Sequence, residues 1–189
     1  MFKNPVIILL LIFLTLSKFS ASAQNTVIWL VRHAEKETIN PTERDPELSQ
    51  LGLKRAADLG KVLQKEKIST IYSTNYKRTL ATVTPLANAL QLNPVTYNPK
   101  DAAATAGKVL QENKGKTALI VGHSNTIIPI IKALNYNVPL EELTDDDYDM
   151  LFKVVIDQSG KATVTISHYG AAHHTTDIQN KKAMTTPMN

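Results

Sequence analysis

Four nitrogen-rich side chains, Arg32, His33, Arg78 and His123, stand just beyond apolar segments of this chain. The stretches "VIWLVRH" and "TALIVGHSN" each close on a histidine, and "TIYSTNYKRT" leads through a short link to Arg78. A guanidinium is a rigid fork of donors that matches phosphate oxygens. Neutral imidazole is a competent nucleophile towards phosphorus and forms a covalent phosphoryl intermediate. A helix starting near Asn125 would add backbone N–H donors and the positive end of its dipole. Taken singly, each residue has an ordinary explanation as a strand end or a surface charge. Together they describe a phosphoryl pocket in which arginines and a second histidine spread the charge that a metal spreads elsewhere.

Such a pocket needs elements that end at one rim. Thr26 to Val31 reads as a buried strand, and the proline-bearing stretch Thr38 to Pro46 as a loop. Ser49 is the N-cap expected for a helix to Lys65, with Leu51, Ala56, Leu59 and Leu63 on its apolar face. Ser69 to Ser73 is a strand, and Tyr76 to Leu90 a helix that Pro85 is expected to kink. Val95 to Tyr97 is a brief strand, Ala102 to Glu112 a helix ended near Gly115, Ala118 to Val121 a strand, and Asn125 to Leu134 a helix. Met150 to Ile156 and Ala162 to His168 are strands around the turn Gln158-Ser159-Gly160. Alternating strands and helices predict a three-layer α/β/α sandwich with a mostly parallel central sheet. Ligands of such sheets bind beyond the carboxyl ends of the strands, where both histidines fall.

The first residues read differently. Lys3 precedes an apolar run from Val6 to Leu16, and Ala21-Ser22-Ala23 is a small-x-small cleavage site. This is the pattern of a secretory signal peptide over residues 1–23. The run is short for a bilayer span, so a cleaved, exported protein is expected, periplasmic or extracellular, with no stable membrane insertion. The domain then covers residues 24–169, followed by a polar tail, 170–189, expected to be poorly ordered. Removing Lys3 and Lys18 lowers the formal charge from +4 to +2, and no basic run remains, which argues against a nucleic-acid partner. With no cysteine, thiol catalysis, disulfides and cysteine zinc sites are excluded, and stability must come from the core.

Four segments carry a resemblance. "VRHAEK" (Val31 to Lys36), "DPELSQLGLKRA" (Asp45 to Ala56), "YSTNYKRTLAT" (Tyr72 to Thr82) and "IVGHSN" (Ile120 to Asn125) resemble, in order and spacing, the motifs of the histidine phosphatase superfamily, also called phosphoglycerate mutase-like. The resemblance implies that His33 accepts the phosphoryl group, that Arg32, Arg78 and His123 hold it, with Ser124 beside them, and that no cofactor is used. It implies a phosphomonoesterase acting on a small phosphorylated substrate or an envelope phosphosugar.

Two departures stand out. Where many members carry a glutamate as general acid, this chain reads "VTYNPKDAAATAG" and offers Asp101, which is equally suited to cap the next helix. Glu35 is the alternative donor. The insertions that form a lid in the mutases are missing, so the chain resembles the short, lid-less branch with an open pocket. That disfavours the phosphomutase alternative, which must keep its phosphohistidine dry. A catalytically weak phosphate- or phosphosugar-binding module is the other alternative, favoured only by the missing glutamate. His168 is expected to be structural, and His173 and His174 solvent-exposed, with no metal site. Asp145, Asp146 and Asp147 are read as a solvated acidic loop.

Overall fold

The computed structural model describes residues 24–138 and 140–175; the signal-peptide pattern and the end of the tail lie outside the described residues. β1 (Thr26–Arg32), β2 (Ile68–Ser73), β3 (Val95–Thr96), β4 (Thr117–Gly122), β5 (Met150–Ile156) and β6 (Ala162–His168) form one sheet in the order β3-β2-β4-β1-β5-β6. The first four strands of that order are parallel; β5 pairs antiparallel with β1, and β6 antiparallel with β5.

Helices α1 (Gln50–Leu63), α2 (Lys77–Leu90), α3 (Ala102–Glu112) and α4 (Ser124–Ala133) cover the sheet. α1 and α2 pack on each other, as do α3 and α4. Period-two alternation in the strands divides the core accordingly. Ile28, Leu30, Tyr72, Ile120 and Phe152 join the layer that includes Ile127 and Ile131 of α4. Trp29, Val31, Ile71, Leu119 and Val121 join the layer with Leu59, Leu63, Val83 and Leu86. This is the expected three-layer sandwich, and covering both faces explains why β1 and β4 are continuous apolar runs.

Four expectations need correction. Leu51 is 45% exposed. The buried stripe of α1 is Gly52, Ala56, Leu59 and Leu63, and Leu51 sits one residue, about 100°, off it. Residues 170–175 are tied down by the body of the domain: the Arg55 guanidinium donates to the carbonyls of Tyr169 and Ala171, and the Thr175 N–H donates to Asp147. His173 and His174 are accordingly half-buried, in contact with Glu35 and Asp149. The acidic loop is also mixed, because Asp147 is buried and accepts from the Thr144 N–H.

Candidate active site

Strand register brings the two histidines together. Arg32 of β1 is paired with Gly122 of β4, so the residues that follow, His33 and His123, leave the sheet side by side with ring centroids 5.4 Å apart. Gly122 is required there, since a side chain would strike Thr126 Oγ1 and the Tyr97 hydroxyl. The same crowding places the His123 N–H on Thr126 Oγ1 at 2.7 Å, at the first turn of α4. Arg78, in the first turn of α2, reaches across to His123 Nδ1 at 3.4 Å. The four residues singled out in the sequence line one cleft of about 660 Å³, as does Ser124.

Hydrogen bonding sets the tautomers. His33 Nδ1 lies 2.8 Å from the Ala34 carbonyl. A carbonyl only accepts, so Nδ1 carries the proton and Nε2 keeps its lone pair. For His123 the order is reversed. Arg78 can only donate to Nδ1, so Nε2 carries the proton, towards Thr74 Oγ1 at 2.9 Å. From there the chain continues to Thr79 Oγ1 and the Thr74 and Tyr76 carbonyls.

Burial pushes the His33 pKa down to about 3, and Arg32, His123 and Arg78 add to the shift against the bond to Ala34. His123 is pushed down to about 4 by burial, then by Arg78 and Arg32. Both rings are therefore neutral in the free protein, as a nucleophile must be.

The guanidiniums are oriented from behind. Arg32 donates to the Thr144 carbonyl at 2.7 Å, lies over the Tyr148 ring at 4.0 Å and meets Asp145 at 3.5 Å. Arg78 lies over Tyr76 at 4.5 Å and meets Asp45 at 3.4 Å. Asp45 also accepts from the Lys77 N–H. Thus the second motif braces the first and third. Its Ser49 caps α1 by accepting from the Gly52 N–H, and its Gly52 lets the helix touch the Glu35 carbonyl.

Neither candidate proton donor is brought into the cleft. Asp101 accepts from the Ala104 N–H at 2.8 Å, so its carboxylate caps α3, and it is Pro99 and Lys100 that line the cleft. Glu35 is buried in a two-pronged pair with Arg55, at 2.7–3.0 Å, and contacts His173 at 2.9 Å. Burial alone would raise its pKa, but the bonds from Arg55 and His173 outweigh burial and hold it below the usual carboxylate range. Its carboxylate is therefore held by Arg55 and His173, two positions after His33.

Sequence reasoning missed Asp45, Arg55, Thr74, Tyr148, Lys36, Lys100 and the segment 142–145, the last three of which also line the cleft. Asp45 and Arg55 lay within a recognised motif. The segment 142–145 had no signal beyond its acidity.

Residues 28–100 match the family model of the histidine phosphatase superfamily (branch 1). Over 71 residues the chain is 42% identical to phosphoserine phosphatase 1 of Hydrogenobacter thermophilus; the stretch is 35% of this chain and 33% of that protein. The match thus spans about a third of the relative's length. A mycobacterial glucosyl-3-phosphoglycerate phosphatase superposes with a TM-score of 0.59 at 15% identity, covering 79% of this chain and all of its own. The protein histidine phosphatase SixA, solved with tungstate, superposes at 0.60 with 13% identity, covering 75% of this chain and 96% of its own. At these identities the likeness is one of fold.

Proposed function

We propose that this chain, whose residues 28–100 match the histidine phosphatase superfamily and whose fold is shared with solved phosphatases, hydrolyses phosphomonoesters through a phosphohistidine on His33. The observation that carries this reading is the His33 tautomer: an unprotonated Nε2 beside Arg32, Arg78 and His123 in one cleft. In the first step the Nε2–P bond forms and the bond from phosphorus to the leaving oxygen breaks, that oxygen taking a proton. In the second, water attacks phosphorus, the N–P bond breaks, and the donor group recovers a proton from the water. Arg32 and Arg78 would neutralise the equatorial oxygens in both steps, with His123 holding the Arg78 guanidinium in place, so the reaction requires no metal at His33.

The proton donor is assigned to Glu142. Among the described residues, it and Asp145 are the carboxylates lining the cleft, and Asp145 is engaged by Arg32. The exposed amines of Lys36 and Lys100 at the mouth favour a small substrate with a second anionic group. The pattern of residues 1–23 supports export, checked by cell fractionation and by finding Gln24 at the mature N-terminus.

The deciding experiment is rapid-quench labelling with a phosphorylated substrate. Wild-type protein should yield an acid-labile, base-stable phosphoprotein, and His33→Ala should yield none and turn over nothing. A folded His33→Ala protein that keeps most of its activity overturns the assignment. Burst kinetics on an aryl phosphate separate this reading from a binding module, which would show no turnover.

A further inference from the structure

A second cluster of chemistry-bearing side chains lies outside the cleft, at the end of the β5–β6 pair. Asp149 immediately precedes β5, His168 ends β6, and His174 returns from the chain beyond. Met150 pairs with His168 in the sheet, and the Tyr169 N–H donates to the Asp149 carbonyl. The backbone therefore fixes the first two residues against each other.

The Asp149 carboxylate is 2% exposed. A buried carboxylate normally has a lysine or arginine partner. Among the described residues its ion-pair partners are the two imidazoles alone, His168 Nδ1 at 3.0 Å and His174 Nδ1 at 2.7 Å. The two rings lie face to face, 4.3 Å apart and tilted by 32°. Their side chains are 23% and 26% exposed, so an ion and a water could reach them.

One ligand atom from each of the three residues lies within 4.8 Å of the others. Zinc bonds of about 2.0–2.1 Å in a tetrahedron need ligand atoms roughly 3.3 Å apart, which small ring movements would reach. The His173 N–H already donates to Asp149 Oδ2 at 2.9 Å, the kind of outer hydrogen bond that orients a carboxylate ligand. Two imidazoles and one carboxylate suit zinc, cobalt or nickel better than magnesium or calcium.

We propose that Asp149, His168 and His174 bind one divalent transition-metal ion of the zinc type, with water in the fourth position. Each imidazole coordinates through Nδ1 after its proton moves to Nε2, so neutral rings bind without net proton loss. The ion fastens residues 170–175 to the sheet. It thereby steadies His173, which contacts Glu35 behind the cleft. Its role is structural, because none of its three ligands lines the cleft.

Metal-stripped full-length protein titrated with zinc chloride by calorimetry tests this. One ion per chain should bind, and cobalt(II) in its place should give the visible absorption of a four-coordinate site. Zinc should raise the melting temperature by a few degrees, as expected for an ion that binds only the folded state. His174→Ala removes a side chain whose contacts are Asp149 and His168, so the fold should persist while affinity falls tenfold or more. His168→Ala should do the same. His33→Ala and His173→Ala should keep zinc, which separates this site from the cleft and from any histidine-rich surface. Absence of saturable binding to the wild-type protein, or undiminished binding in both His174→Ala and His168→Ala, overturns the proposal.

Discussion

His33 and His123 differ chemically although both are neutral histidines at strand ends. The Ala34 carbonyl leaves His33 with a free Nε2, whereas Thr74 and Arg78 occupy both nitrogens of His123. Their depressed pKa values, about 3 and about 4, have a stability consequence. In the unfolded chain both return towards the ordinary value, so below about pH 6.5 the unfolded state binds more protons than the folded one. Stability should therefore fall as pH drops from 7 towards 4, by on the order of a few kcal/mol. His33→Ala should flatten that slope in urea titrations. Imidazole resonances of both residues should stay at neutral-ring shifts between pH 7 and 5. The proton donor is a second residue-scale question. Glu142→Gln should slow an alkyl phosphate by ~10²–10⁴ and an activated aryl phosphate much less. Asp101→Asn should leave both nearly unchanged, because asparagine caps a helix about as well as aspartate.

At the scale of elements, the loop after β1 is clamped by the start of α1. The Ser49 N–H donates to the Glu35 carbonyl, Leu48 packs with Ala34 and Ala56, and Lys36 bridges to Leu48. The Glu35–Arg55 pair closes the same joint from inside. Glu35→Gln should leave the buried Arg55 guanidinium without its counter-charge and cost about 3–5 kcal/mol. Aryl and alkyl phosphates should then lose rate by the same factor, because the effect is on position and not on proton transfer. Gly52→Ala should push α1 off the Glu35 carbonyl and cost about 1–3 kcal/mol, the usual range for overpacking, read from urea melts.

For the whole molecule, the returning chain end matters most. His173 contacts Glu35 across 138 residues of sequence, and the Tyr148 N–H, Asp147 and Asp149 all take partners in 173–175. Stopping the chain after Tyr169 should lower stability by on the order of 1–3 kcal/mol, a few hydrogen bonds' worth, and reduce turnover by loosening Glu35. Thermal melts and kcat of the truncated and full-length chains give the comparison.

Local chemistry in the sequence was enough to establish the strand–helix alternation, the three-layer sandwich and the convergence of Arg32, His33, Arg78 and His123. Each depends on a short-range signal: an apolar run, a cap, or a motif whose residues lie close along the chain. Ser49 as N-cap, and the span of α3 from Ala102 to Glu112, were legible for that reason. Long-range pairing decided the rest. Glu35 looked like a free acid until Arg55 and His173 enclosed it. Asp101 lay near the cleft in sequence, yet turned its carboxylate to its own helix. His168 and His174 acquired a shared carboxylate only because β5 and β6 set Asp149 against His168 and the chain beyond β6 returns His174 to it. Burial and charge pairing belong to the folded surface that surrounds a side chain, and for these residues that surface comes from segments distant in the sequence.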